Sequence, residues 1–238
     1  MNALEVLPPF WVVIPAAGIG TRMAADRPKQ YLRVAGLCIL EHSLNCFLDH
    51  PDLKGVVVVL AADDPYWPTL ACAADPRITR ATGGGERAES VLKGLAGLPA
   101  LGAQEQDWVL VHDAARPNLA RADLDGLLGC LADDPVGGLL AVPVRDTLKR
   151  AGADGRVQQT VDRRDVWQAY TPQMFRLGPL RAALADALAS GAGITDEASA
   201  LEWAGQAPRL VEGRSDNLKI THPEDLQWLI LQWQDRVP

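Results

Sequence analysis

The run Pro15-Ala16-Ala17-Gly18-Ile19-Gly20-Thr21-Arg22-Met23, followed by Pro28-Lys29-Gln30-Tyr31-Leu32, holds two glycines and two cations within one short stretch. It comes directly after the apolar run Trp11-Val12-Val13-Ile14. A glycine turn after a strand leaves backbone N–H groups free and lets a phosphate chain approach the main chain. Arg22 and Lys29 add positive charge at the same place. Strand, turn and paired cations together read as a site for a nucleoside triphosphate. Gly18 and Gly20 match the first two glycines of a dinucleotide fingerprint, but Met23 stands where the third would permit close helix–strand packing. No Gly-Lys-Ser/Thr sequence closes the loop, so it is not a P-loop.

Other blocks carry chemistry further along. Gly83-Gly84-Gly85 offers backbone N–H and C=O groups to the edge of a base, with Ser90 near the start of the next helix. His112-Asp113 closes an apolar run, at the carboxyl end of a strand where parallel sheets bind ligands. A carboxylate there can hold Mg²⁺ beside a triphosphate, directly or through water, or can cap the following helix. His112 reads as a packed structural histidine: a phosphate monoester, with a second pKa of about 6, needs no strong base at neutral pH. Arg87 fits either a ligand contact or an ion pair with a nearby acid.

The first loop resembles the signature of the 2-C-methyl-D-erythritol 4-phosphate cytidylyltransferases. The likeness continues through Gly83-Gly84-Gly85-Glu86-Arg87-Ala88-Glu89-Ser90-Val91, Val111-His112-Asp113-Ala114-Ala115-Arg116-Pro117, Pro143-Val144-Arg145-Asp146-Thr147 and Thr160-Val161-Asp162-Arg163. It ends with Thr171-Pro172-Gln173, Thr195-Asp196-Glu197-Ala198-Ser199-Ala200 and Asp216-Asn217-Leu218-Lys219-Ile220-Thr221. These blocks span nearly the whole chain in the family's order. The resemblance implies transfer of CMP from CTP to methylerythritol phosphate, with Mg²⁺ as cofactor. It implies that Pro15, Ala16, Ala17, Gly18, Gly20, Thr21, Gly84, Gly85, Arg87, Ser90, Asp113 and Ala114 hold CTP, with Ala16, Ala17, Gly84, Gly85 and Ser90 around the cytosine. Arg116, Thr147, Thr171 and Thr195 would bind the acceptor. Arg22, Lys29, Arg163 and Lys219 would be catalytic, and Asp113 the metal ligand. Residues 143–171 would form an arm reaching the partner subunit of a homodimer and carrying Arg163. Family members often have an acid where Gly85 stands; backbone recognition of the base survives that change, and a side-chain contact does not. Cytidylyltransferases for ribitol 5-phosphate share much of the loop and are the alternative. The Thr195 and Asp216 blocks favour methylerythritol phosphate. Outside catalysis, a nucleotide-sensing module is the rival.

The elements that must position these residues are legible as alternation. Apolar runs at 11–15, 56–60, 108–112, 139–142 and 209–211 read as strands, the first three covered on both faces. Leu40, Leu44, Phe47 and Leu48 mark a helical stripe, as do Val91, Leu92, Leu95 and Leu98, and Leu124, Leu127, Leu128 and Leu131. Residues 179–190 read as a helix stopped by Gly191, and Thr221-His222-Pro223-Glu224 as a capping box opening the last helix. The expected fold is a Rossmann-like α/β domain over 1–238, with a mainly parallel sheet, helices on both faces and a projecting β-arm at 143–171 turning at Ala151-Gly152-Ala153-Asp154-Gly155. The net charge of −7 argues against nucleic acid or an anionic membrane as partner. No apolar run is long enough to span a bilayer, and no signal peptide is read at the start. Cys38, Cys46, Cys72 and Cys130 lie in apolar stretches without CxxC spacing, so buried free thiols and a cytoplasmic setting are expected.

Overall fold

The first apolar run forms β1 (Phe10–Pro15), an interior strand of a seven-stranded sheet. The computed structural model describes residues 6–18 and 27–233. Parallel strands flank β1 on both sides, β4 (Leu53–Leu60) and β6 (Trp108–Val111), and β5 (Ile78–Thr82) runs parallel beyond β4. Beyond β6 the long β10 (Trp167–Arg176) runs antiparallel, paired also with β7 (Gly137–Pro143); β11 (Arg209–Glu212) closes that edge parallel to β7. The order is β11-β7-β10-β6-β1-β4-β5. Arg33–Val34 and Leu37–Cys38 form a small separate ribbon, β2 and β3.

Alternate residues of the buried strands serve opposite faces, which is why these runs are apolar throughout. Val12 and Ile14 pack with Leu40, Leu44 and Phe47 of α1 (Ile39–Leu48) and the Leu124–Leu131 stripe of α3 (Arg121–Leu131). Trp11 and Val13 pack with Val91 and Leu95 of α2 (Arg87–Gly97), Leu180 and Leu184 of α4 (Leu177–Ala189), and Leu201 of α5 (Glu197–Trp203). α6 (Pro223–Gln232) closes a third cluster through Leu229, against Ile39, Ala115 and Ile220. Gly191, at φ +72°, takes the left-handed position that stops α4. Among the described residues no helix is long and apolar enough to cross a membrane.

The structure corrects the sequence reading at several points. The polar segment is a hairpin, β8 (Leu148–Ala151) against β9 (Val157–Val161), but its last residues belong to the central sheet: Trp167 pairs with Pro143 and Gln168 with Val142. β10 escaped notice because Pro172 interrupts its pattern, and the ladder with β7 shifts register between Ala169 and Gln173, where the proline sits. The box opening α6 uses Asp225, whose Oδ2 accepts from the N–H groups of Thr221 and His222, rather than Glu224. All four cysteines are free, but only Cys38 is buried; Cys130 is exposed.

Candidate active site

The carboxyl ends of the parallel strands carry the residues singled out by type. After β1, the N–H of Ala16 donates to Val59 O at 2.7 Å; after β5, the N–H of Gly83 donates to Leu60 O at 2.8 Å. These bonds bring the Pro15–Gly18 and Gly83–Gly85 segments together as two adjoining walls of a cavity of about 280 Å³. Gln30 is buried, and its amide donates to Ala16 O (2.8 Å) and Gly18 O (3.0 Å), which fixes the course of the first wall. On the second wall the Ser90 hydroxyl accepts from the N–H of Gly84 and donates to Glu86 O, both at 3.0 Å, and Gly85 N–H donates to Glu89 Oε2 at 2.7 Å. Lys29 lines the same cavity, its Nζ donating to Ile220 O at 2.8 Å.

Asp113 stands at the floor, where β6 ends. Its Oδ1 accepts from Arg87 Nε at 3.1 Å, and its Oδ2 faces Lys219 Nζ at 2.9 Å and Arg116 Nε at 3.5 Å. Burial alone would raise its pKa, but the charges of Arg87, Lys219 and Arg116 outweigh burial and hold the carboxyl well below the ordinary range. His112 is fully buried beside it. Its Nε2 lies 2.9 Å from Arg116 O, which can only accept, so Nε2 carries the proton and Nδ1 accepts from the Thr171 hydroxyl at 3.1 Å. Burial pushes its pKa down to about 4, so it is neutral and structural. Thr171 Oγ1 also accepts from the N–H of Asp113 at 3.1 Å and so braces the corner that presents the carboxylate.

A second cavity, of about 180 Å³, adjoins the first. The two share Arg87, Asp113 and Lys219 in their walls; the second adds Arg116, Tyr170, Thr171, Gln173, Thr195 and Asp196. The Arg116 guanidinium lies 4.5 Å from the centre of the Tyr170 ring and donates through Nη1 to Asn217 O at 2.7 Å. Gln173 is buried and bridges Asp196 Oδ2 (2.9 Å) and the N–H of Ala198 (2.8 Å). The site is thus a nucleotide-sized cleft joined to a smaller polar cavity through three charged side chains, an arrangement suited to bringing one anion up to another.

The family model described as IspD, 2-C-methyl-D-erythritol 4-phosphate cytidylyltransferase, matches residues 10–230. The chain belongs to this family. It is 75% identical over 227 residues to the 2-C-methyl-D-erythritol 4-phosphate cytidylyltransferase of Ectopseudomonas mendocina strain ymp, covering 95% of this chain and 97% of that protein. It is 73% identical over 232 residues to the protein of the same name from Pseudomonas fluorescens strain SBW25, covering 98% and 99%. The crystal structure of Francisella tularensis 2-C-methyl-D-erythritol 4-phosphate cytidylyltransferase (IspD) superposes with a TM-score of 0.82 at 35% identity, over 94% of this chain and 99% of that one.

Within this member of the cytidylyltransferase family, the structure brings most of the expected site residues together. Pro15, Ala16, Ala17, Gly18, Lys29, Gly84, Gly85, Arg87, Ser90, Asp113, Ala114 and Lys219 line the larger cavity. Arg116, Thr171 and Thr195 line the smaller one. Gly20, Thr21 and Arg22 lie outside the described residues. Thr147 precedes β8 and Arg163 follows β9; both are exposed and line neither cavity of their own chain. Among the described residues, no group of three or more His, Cys, Asp or Glu side chains is clustered to hold a metal.

Gln30, Tyr170, Gln173 and Glu197 were not singled out from the sequence. Gln30 follows Lys29 directly within the loop motif, where an amide gives no sign that it braces the turn. Glu197 is fully buried and takes the Arg87 guanidinium on both oxygens, at 2.7 and 3.2 Å. Its partner is 110 positions away, and no local spacing announces such a pair.

Proposed function

We propose that the protein transfers CMP from CTP to 2-C-methyl-D-erythritol 4-phosphate, giving 4-diphosphocytidyl-2-C-methyl-D-erythritol and pyrophosphate. The observation that carries this reading is the pair of adjoining cavities sharing Arg87, Asp113 and Lys219, in a chain of this family. CTP takes the larger cavity, its base against Ala16, Ala17, Gly84, Gly85 and Ser90 and its phosphates toward the Gly18–Lys29 segment. The acceptor takes the smaller cavity, with its phosphate toward Arg116 and Lys219 and its polyol toward Thr171 and Thr195. A 4-phosphate oxygen attacks the α-phosphorus in line; the new O–P bond forms as the bond to the β-phosphate oxygen breaks, and pyrophosphate leaves with the electron pair. Lys29, with Arg22, offsets charge on the α-phosphate and the leaving group. Lys219 holds the attacking phosphate at the common boundary.

Mg²⁺ fits this donor set as a shared ion. Asp113 is an ionised carboxylate whose Oδ1 accepts one hydrogen bond, from Arg87 Nε, so that oxygen keeps a second acceptor position with which it would serve as one ligand, directly or through water, alongside phosphate oxygens. Bound there, the ion would supply Lewis-acid charge stabilisation. The whole chain, residues 1–238, acts as one nucleotidyltransferase domain in the cytoplasm. Its 143–171 segment joins a homodimer, and the exposed Arg163 serves the neighbouring site. Sedimentation of a fully active monomer would remove the dimer from this reading. Release of pyrophosphate from CTP that depends on methylerythritol phosphate tests the reaction, with ribitol 5-phosphate as the competing acceptor.

A further inference from the structure

One ion pair, between the half-buried Arg87 and the fully buried Glu197, ties together the two helices that open onto the cavities. α2 begins at Arg87, next to Gly84 and Gly85 of the nucleotide wall; α5 begins at Glu197, next to Thr195 and Asp196 of the second cavity. Glu197 is fully buried and lines neither cavity. Its two oxygens accept from Nη1 and Nη2 of Arg87, which leaves Nε to donate to Asp113 Oδ1 at 3.1 Å. A guanidinium is planar, with its N–H groups in fixed directions, so pinning the outer nitrogens also aims the third. Asp113 is the carboxylate on which Lys219 and Arg116 converge. Burying a carboxylate only to make an ion pair is a poor route to stability, because well-packed apolar side chains do as well or better. The aim of Arg87 gives the acid another purpose.

We propose that Glu197 is a positioning residue for the transfer: it locks Arg87 so that Nε alone meets Asp113, and it couples the acceptor wall to the nucleotide wall. Without the fork, the guanidinium is free to pair two-pronged with Asp113 and draw that carboxylate away from Lys219. The inference rests on the cytidylyl-transfer reading above. Wild-type pyrophosphate release tests that reading, whereas ratios between variants test the role of Glu197.

The experiment measures kcat, the KM for CTP and thermal unfolding for the full-length wild type, Glu197→Gln, Glu197→Asp, Arg87→Met and the Arg87→Met/Glu197→Gln double variant. Glu197→Gln keeps the volume but loses the charge and one acceptor; Glu197→Asp keeps the charge but is one methylene too short for the fork. Both should lower kcat by roughly 10- to 100-fold, the cost of a small misplacement near the reacting groups, with the KM for CTP changed by less than about threefold. On the Arg87→Met background, Glu197→Gln should cost nothing further, because its effect passes through Arg87. A Glu197→Gln enzyme with lowered Tm but wild-type kcat per folded molecule would overturn the proposal, as would a full loss on top of Arg87→Met. Should Arg87→Met fail to fold with Glu197 left unpaired, the aspartate variant decides: near-normal kcat there would contradict a role that depends on the fork.

Discussion

Gly83 joins β5 to the nucleotide wall, and replacing it with alanine tests how tightly the two walls are set. A Cβ at this position would stand 2.5 Å from the Cβ of Ala17 and 2.9 Å from Ser90 Oγ. Carbon atoms in contact sit at about 3.5–4.0 Å, so the walls would have to part by about 1 Å. Neither yields easily, since Ala16 and Gly83 are tied to neighbouring strands by backbone bonds of 2.7 and 2.8 Å. Overpacking of this kind costs about 1–3 kcal/mol. For a chain of this length that lowers Tm by roughly 2–12 °C. Because Ala17 and Ser90 line the nucleotide cavity, the displacement falls on CTP. A misplacement of about 1 Å can cost on the order of 10²-fold, so kcat/KM for CTP should fall roughly 10- to 100-fold while the KM for the acceptor holds. The assay is pyrophosphate release against CTP at saturating acceptor, beside thermal unfolding. Gly126→Ala is the control, because Gly126 lies in α3, lines neither cavity, and its new Cβ would meet nothing within 4 Å. It should match wild type in kcat/KM and show no loss of Tm. Equal behaviour of the two variants would refute the claim that backbone approach at Gly83 shapes the nucleotide cavity.

Two further outcomes follow from the charged floor of the site. Asp113→Asn leaves Arg116 and Lys219 without their common anion; kcat/KM should fall roughly 10²–10³-fold and stability by about 3–5 kcal/mol, read by turnover and by urea unfolding. Near-wild-type values would contradict its central place. His112, lowered from 6.5 to about 4 by burial, should titrate by NMR with a midpoint near 4. The native state then binds fewer protons than the unfolded chain, so the stability it contributes is full above pH about 6.5. That stability is lost as pH falls toward 4, by up to about 3 kcal/mol; a midpoint above 6 would show that the ring is not sealed.

What the sequence made legible were features with local signatures. The apolar runs around Val12 and Val57 are strands because both faces of the sheet are covered, and the Leu124–Leu131 stripe is a helix because its period matches one face. The glycine loop after β1 and the Gly83–Gly85 turn marked, through residue type alone, two segments that line the larger cavity. β10 was hidden because Pro172 falls within it and its first three residues, Trp167 to Ala169, are half-exposed to exposed and carry no apolar-polar alternation facing the core. β5 was hidden because Ile78–Thr82 is a short edge strand with no buried residue. At the site, Asp113 stood out as a carboxylate at a strand end, whereas Arg116 and Lys219 entered only through the family resemblance. Glu197, Gln30 and Gln173 did not stand out, because their work is to hold other site groups through contacts between distant parts of the chain, which only the fold reveals.

The central claim is that the two cavities pass a cytidylyl group from one anion to another. Purified protein incubated with CTP, Mg²⁺ and 2-C-methyl-D-erythritol 4-phosphate should release one pyrophosphate for each acceptor consumed, with ribitol 5-phosphate turned over far more slowly. Binding of CTP with no pyrophosphate released for either acceptor, or faster release with ribitol 5-phosphate, would contradict it.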